Sequence, residues 1–120
     1  MKIDRNAVYK KFDGHCAYCG EAIEFKRMQV DHFWPQCLAH FESDLDANRF
    51  SNLMPSCAKC NNHKHGMRPE TWRREIYRQV EMLRRNTNFQ RALRYGQIST
   101  TQSPIVFYFE RVSAKENVES

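Results

Sequence analysis

Four cysteines in two identical brackets are the residues whose spacing points most directly to chemistry. The brackets are Cys16-x-x-Cys19 and Cys57-x-x-Cys60. Two residues between paired thiols allow a tight turn that offers both sulfurs to one ion, and two such turns complete a tetrahedral zinc site. A closed site of four sulfurs has no open position, so we expect this Zn²⁺ to be structural. The alternative is four reduced thiols without metal, and Cys37 is left outside either arrangement.

A second group of polar residues lies between and after the brackets, at Asp31, His32, Asn52 and Asn61. Histidine accepts a proton from water near neutral pH, and an aspartate oxygen is a hard ligand that suits Mg²⁺ or Mn²⁺. Hydrolysis of a phosphodiester needs an activated water and charge neutralisation at phosphorus. Adjacent strand residues point to opposite faces, so we expect the strand to end or bend at Asp31–His32 for both to reach one phosphate.

The strings CAYCG, VDHFWPQ and NLMPSCAKCNNHK, within residues 12–66, resemble the HNH endonuclease motif in its zinc-knuckle form. The resemblance implies a ββα-metal fold and a DNA endonuclease whose products carry 5′-phosphate and 3′-hydroxyl ends. It implies that His32 is the general base, that Asp31 and Asn61 hold the catalytic Mg²⁺ or Mn²⁺, and that Asn52 braces the loop and orients the base. His63 is an alternative ligand to Asn61, and zinc or nickel is an alternative catalytic ion.

Positive charge is concentrated after this motif. The chain has a net charge of +5, and its segment 67–94 is rich in arginine. Arginine binds phosphate bidentately, so we predict that this segment and two nearby lysines contact nucleic acid. The predicted contacts are Lys59, Lys64, Arg68, Arg73, Arg74 and Arg78. The alternative is a solvated helix face with i,i+4 ion pairs, for which Glu70–Arg74 and Glu81–Arg85 have the spacing.

The elements that must position these residues predict an α+β fold. We expect a small ββα-metal nuclease core with a structural four-cysteine zinc knuckle, flanked by an N-terminal helix and by C-terminal helices plus a strand. The expected elements are a helix at 4–12, a strand at 27–33, a second strand or an extended turn at 50–55, a short helix that stops at Gly66 and a helix from Pro69 with Trp72 in the core. Residues 105–112 (IVFYFERV) predict a strand that packs on the core or pairs with a second copy.

A chain of 120 residues, 41% of them hydrophobic, predicts one domain. Its core should be thin and should need additional stabilisation from a cross-link or a bound metal. We expect this domain over residues 1–112, with a motif core at 12–66, a basic helical extension at 67–95, a strand at 104–112 and a frayed tail at 113–120. The N-terminus has no apolar signal region and no run could span a bilayer. We therefore expect an intracellular, cytoplasmic protein of bacterial or phage origin. Thiols stay reduced in that compartment, so the paired cysteines favour a metal site over disulfides.

Two functions account for these features. The first is a metal-dependent endonuclease that acts on double-stranded DNA and does not bind a membrane. As a monomer it would nick one strand, and as a homodimer it could cut both. The alternative is a non-catalytic zinc-knuckle module that binds nucleic acid. That module would keep the cysteines and arginines but would not need Asp31, His32, Asn52 and Asn61 together. A zinc domain for protein interaction explains neither the arginines nor the Asp–His pair. Family members often belong to phages, mobile elements, restriction systems or defence systems.

Overall fold

The computed structural model describes residues 3–35 and 48–119, with side chains given as far as residue 113. The chain forms two compact units. Unit 1 comprises Met1–Pro69 and Val106–Ser120, and unit 2 comprises Glu70–Ile105. Most of the long connection after Pro35, and Cys37 within it, lies outside the described residues. The expectation of a single domain over residues 1–112 stays a prediction.

Two short antiparallel strands and two helices form the centre of unit 1. They are α1 (Arg5–Lys10), β1 (Gln29–His32), β2 (Leu53–Ser56) and α2 (Ala58–Lys64). The register pairs Asp31 with Met54 and His32 with Leu53. Every residue of β2 is buried, α1 packs on β2, and α2 packs on β1. The predicted strand at 27–33 is confirmed, and the segment at 50–55 forms a short 3-10 turn (Phe50–Asn52) followed by β2. The predicted short helix, which begins inside the second cysteine bracket, is also confirmed, as is the α+β class.

One hydrophobic cluster of unit 1 lies between α1 and the sheet. It consists of Val8, Met28 and Leu53, with Ile3, Tyr9, Ile23 and Val30 packed around it. Asp4 caps α1 by accepting a hydrogen bond from Ala7 N at 3.2 Å, which satisfies one of the free donors of the first helical turn. Lys11, just past α1, donates to the carbonyls of Phe50 and Leu53 and ties the helix to the start of β2.

The C-terminal segment corrects the sequence prediction. The expected strand at 104–112 and frayed tail at 113–120 are replaced by a helix, α6 (Tyr108–Glu119). Among the described residues the sheet contains only β1 and β2, so the aromatic run has no strand to join. Its backbone pairs instead with the first cysteine turn, because Tyr108 N and Phe109 N donate to the carbonyls of Tyr18 and Ala17. Aromatic residues favour strands only where a sheet surface receives them.

Unit 2 is helical. Its elements are α3 (Pro69–Tyr77), α4 (Gln79–Leu83) and α5 (Thr87–Arg94), the first of which begins at Pro69 as predicted. Asn86 caps α5 by accepting from Phe89 N at 3.0 Å, and Trp72 is buried as expected. Within residues 3–35 and 48–119, no helix combines the length and the apolar character needed to cross a bilayer.

Candidate active site and metal cluster

The four predicted cysteine sulfurs come together in unit 1. All four Sγ atoms lie within 4.8 Å of one another. A tetrahedral ion with Zn–S bonds of about 2.3 Å separates its sulfurs by about 3.8 Å. The Sγ atoms of Cys19 and Cys57 lie 3.9 Å apart. The cluster therefore has the donor set and spacing that a zinc ion requires, and it joins the start of the motif to its end.

Local backbone geometry forms each half of the cluster. In the first bracket Gly20 has a φ of +82°, and its N–H donates to Cys16 O at 3.0 Å to close the turn. A Cβ at Gly20 would lie 3.3 Å from the Tyr108 ring, so glycine meets both a backbone and a space requirement. In the second bracket Cys57 caps α2, and its Sγ accepts from Cys60 N at 3.4 Å.

Hydrogen bonding between the thiols lowers the pKa of one cysteine and raises the pKa of another. The contact with Cys60 lowers the pKa of Cys16 to about 4, and the same contact raises the pKa of Cys60. Burial raises the pKa of Cys19 to about 11. Of these three thiols, Cys16 therefore loses its proton most readily, and the protons held by Cys19 and Cys60 must leave when a cation binds.

Asp31 is buried on β1, with 6% of its surface exposed. The Tyr18 hydroxyl donates to Asp31 Oδ2 at 2.5 Å, and the Lys64 ammonium lies 3.1 Å from the same oxygen. Burial and then the Asp31 charge raise the pKa of Tyr18, so its hydroxyl stays protonated and donates. Within the described residues both polar contacts of Asp31 use Oδ2, which leaves Oδ1 as the oxygen for a further ligand.

Lys64 occupies a different place from the one predicted. Its side chain is fully buried, and besides the contact with Asp31 it donates to the His32 carbonyl at 3.0 Å. An ammonium inside the protein cannot reach a phosphate on the surface, so the burial argues against the predicted phosphate contact. A buried cation needs an anion and acceptors to offset its desolvation, and Asp31 and the carbonyl of His32 provide them.

His32 is the last residue of β1 and is half-buried. Its Nε2 lies 2.9 Å from Asn48 Oδ1. An amide oxygen can only accept, so Nε2 carries the hydrogen and the lone pair of the neutral ring is at Nδ1. The chain bends at Phe33 and Trp34 directly after the strand. The prediction that the strand ends at the Asp–His pair is therefore confirmed.

Asn52 holds the bend that follows His32. Its Oδ1 accepts from Trp34 N at 2.8 Å, its Nδ2 donates to Trp34 O at 3.1 Å, and its own carbonyl accepts from Phe33 N at 2.8 Å. The side chain is 7% exposed. These three bonds attach Asn52 to the backbone next to His32, and the role of Asn52 in orienting the histidine stays a prediction.

Asn61 lies on α2 beside the strand that carries Asp31. Its Nδ2 donates to Gln29 Oε1 at 2.5 Å, and Gln29 is two residues before Asp31 on the same face of β1. Because the amide nitrogen is taken by Gln29, the carbonyl oxygen is the end of Asn61 that a hard cation would bind. His63, the alternative ligand, is exposed on α2. The contact with β1 therefore favours Asn61.

Apart from Lys64, the predicted nucleic-acid contacts fall into two groups that differ in their ion pairing. Lys59, Arg68 and Arg74 are exposed, and no ion pair is found for them within the part of the chain that is described. Arg73 pairs with Glu70, and Arg78 pairs with Glu75. Both pairs have i,i+3 spacing, so the i,i+4 pair proposed between Glu70 and Arg74 is replaced by Glu70–Arg73.

Three contacts of the site escaped the sequence analysis, namely those of Tyr18, Gln29 and Asn48. Tyr18 lies in the metal turn, but no spacing pattern in the sequence connects it with Asp31, whose burial only the structure shows. Gln29 could have been suspected from its spacing of two from Asp31 on a strand. Asn48 carries no such pattern, because it follows a long connection whose path the sequence does not define.

Comparison with known proteins agrees with this geometry. The family model described as HNH endonuclease matches residues 16–66. YoqL of Bacillus subtilis (strain 168), whose name describes it as an HNH endonuclease derived from the SPbeta prophage, is 35% identical over 63 residues. That alignment covers 51% of this chain but only 27% of YoqL.

Among solved structures, the type II-C Cas9 enzyme from Actinomyces naeslundii overlaps 60% of this chain and 8% of its own, with 27% identity and a TM-score of 0.49. The likeness to the HNH endonuclease family does not depend on this overlap. It rests on the family match, which contains both cysteine brackets and the Asp31–His32, Asn52 and Asn61 positions. Residues 16–66 of this chain are therefore similar to the HNH endonuclease family.

Proposed function

We propose that this protein is a metal-dependent endonuclease that hydrolyses phosphodiester bonds in DNA. The observation that carries the proposal is the end of β1, where neighbouring residues present two different reactive atoms. Asp31 keeps Oδ1 for a cation, and His32 keeps the Nδ1 lone pair for a proton. A nucleic-acid-binding module would need neither atom, whereas a hydrolase needs both.

His32 acts as the general base in this proposal. Its Nδ1 accepts a proton from the attacking water, while the hydrogen bond from Nε2 to Asn48 keeps the ring in the tautomer that leaves Nδ1 free. Asn52 holds the backbone of Trp34 and so limits the movement of the histidine relative to the strand end. Cleavage by this route leaves 5′-phosphate and 3′-hydroxyl ends.

The residues around Asp31 fit a divalent cation. Oδ1 of Asp31 and the carbonyl oxygen of Asn61 are hard ligands, and two protein ligands leave positions for water and phosphate oxygens, as Mg²⁺ or Mn²⁺ prefers. When bound, the cation would offset charge on the scissile phosphate and on the departing 3′ oxygen. The four-cysteine cluster fits a separate Zn²⁺ with a structural role, since four sulfurs leave no position for substrate.

Nucleic acid is the substrate class that the surface charge favours. The exposed cations for which no ion pair is found within the described residues, among them Lys59, Arg68 and Arg74, are the candidates for phosphate contact. Replacing Arg74 with glutamine should lower the slope of log binding constant against log salt concentration by about one. The matched change Arg78→Gln should have a smaller effect, because Arg78 already pairs with Glu75 at 3.0 Å. Equal effects of the two variants would contradict this assignment.

Plasmid cleavage in Mg²⁺, Mn²⁺ and EDTA tests the activity. Wild type should cut with at least one cation and not in EDTA, and His32→Ala should lose at least about 100-fold in rate. The control His65→Asn changes an exposed histidine outside the site and should cut normally. His63→Ala should also retain activity if Asn61 is the ligand. DNA binding without cleavage under every cation would favour the binding module, and an active His32→Ala would refute the general base.

A further inference from the structure

Tyr18 belongs to two parts of the molecule at once. It lies between Cys16 and Cys19, inside the first turn of the metal cluster, yet its hydroxyl donates to the carboxylate of Asp31. The side chain is 3% exposed. The four-cysteine cluster therefore delivers a hydrogen-bond donor directly to a residue that we assign to the catalytic cation.

The turn that carries Tyr18 is fixed on both sides. Ala17 N donates to Pro55 O at 2.8 Å, which attaches the turn to β2, and the carbonyl of Tyr18 accepts from Tyr108 N at 2.9 Å. The Tyr18 ring meets the Phe107 ring edge-on, with centroids 5.4 Å apart. A ring held in this way has little freedom to move its hydroxyl, so the donor position is set before any cation binds.

We propose that Tyr18 is a positioning residue that, together with Lys64, fixes Asp31 so that Oδ1 rather than Oδ2 binds the catalytic cation. This inference rests on the proposed function, and it specifies which carboxylate oxygen of Asp31 binds the cation. A carboxylate has two equivalent oxygens, and two donors on one of them fix its rotation and leave the other for the ion. One of these donors comes from the cluster turn and the other from α2.

Tyr18→Phe removes only the hydroxyl. In the zinc-loaded protein we expect the Mn²⁺ dissociation constant, measured by paramagnetic resonance titration, to rise about 10- to 100-fold, since outer partners of metal ligands have effects of this size. The Mg²⁺ concentration for half-maximal cleavage should rise by the same factor, while the rate at saturating Mg²⁺ changes less. The matched control is Tyr9→Phe, which removes another bonded hydroxyl, donating to Ile23 O at 2.7 Å, away from the site.

The outcomes separate the two proposals. If wild type neither binds Mn²⁺ nor cleaves DNA, the proposed function fails. If wild type does both and Tyr18→Phe has the same Mn²⁺ affinity, only the positioning role is overturned. A Tyr18→Phe protein that loses its cooperative unfolding transition would also count against the proposal, because the hydroxyl would then maintain the fold rather than orient one ligand.

A second measurement needs no substitution. A buried hydroxyl that donates to a carboxylate exchanges its proton slowly with water and gives a proton resonance shifted downfield. Isotope labelling of tyrosine, or loss of the resonance in Tyr18→Phe, assigns it to Tyr18. Saturating Mg²⁺ should leave this resonance in place if the cation binds Oδ1. Its disappearance on adding Mg²⁺ would mean that the cation takes Oδ2 from Tyr18, and would overturn the inference in wild-type protein.

Discussion

The buried pair between Lys64 and Asp31 gives the sharpest stability prediction. Both side chains are almost completely buried, and the ammonium also donates to the carbonyl of His32. Lys64→Met keeps the length of the side chain but leaves the Asp31 carboxylate without its cation. Removing one partner of a buried ion pair costs about 3–5 kcal/mol, because the remaining charge stays desolvated. We expect a loss of at least about 3 kcal/mol in the free energy of unfolding.

Urea unfolding of zinc-loaded protein, followed by circular dichroism, measures this loss. Lys59→Met is the matched control, since Lys59 is exposed and should change stability by no more than about 0.5 kcal/mol. Asp31→Asn should be destabilising for the converse reason, and the double variant should be more stable than the sum of the two single losses by more than about 1 kcal/mol. Additive losses, or a Lys64→Met loss below about 1 kcal/mol, would refute the claim that the two charges compensate each other.

Three further predictions concern the supports of the site. Asn52→Ala removes two buried hydrogen bonds to Trp34 and should cost about 1–3 kcal/mol while lowering the cleavage rate; normal stability and rate would contradict the bracing role. Gly14→Ala places a Cβ 2.8 Å from the Tyr9 hydroxyl at a φ of +80° and should destabilise unit 1 by about 1–2 kcal/mol, more than Gly96→Ala, whose Cβ meets nothing within 4 Å. Zinc affinity, measured by competition with a chelator, should rise between about pH 5 and about pH 9 because thiol protons must leave; a flat profile would contradict metal binding by thiolates.

Short-range patterns in the sequence predicted the motif part of the structure well. The brackets of two residues required tight turns, and the two turns meet in one cluster as expected. The Asp31–His32 pair required a strand end, and β1 ends at His32. The resemblance implied that Asn52 braces the adjoining loop; Asn52 bonds to the backbone of Trp34, and its role in orienting His32 stays a prediction. For the brackets and the strand end, residue type and spacing determine the local geometry, which a single sequence carries.

The errors came from partners far apart in the chain. Lys64 follows the second bracket like a surface lysine, and only the depth of Asp31 in the folded core shows why it is buried. The run at 105–112 has the composition of a strand, yet the backbone donors of Tyr108 and Phe109 bind the turn at Tyr18 and Ala17, and the segment continues as a helix. Propensity describes a segment alone, whereas these outcomes depend on which distant surface accepts it.

The bonds from Tyr108 and Phe109 to the first cysteine turn have a consequence for the timing of folding. Unit 1 is discontinuous, because the chain leaves it at Pro69 and returns at Val106, so a newly made chain that has passed the second bracket still lacks donors for the carbonyls of Ala17 and Tyr18. Contacts of such large sequence separation form late and slowly. During synthesis, the first cysteine turn, which carries the Tyr18 hydroxyl that donates to Asp31, should therefore become rigid only after Phe109 has left the ribosome.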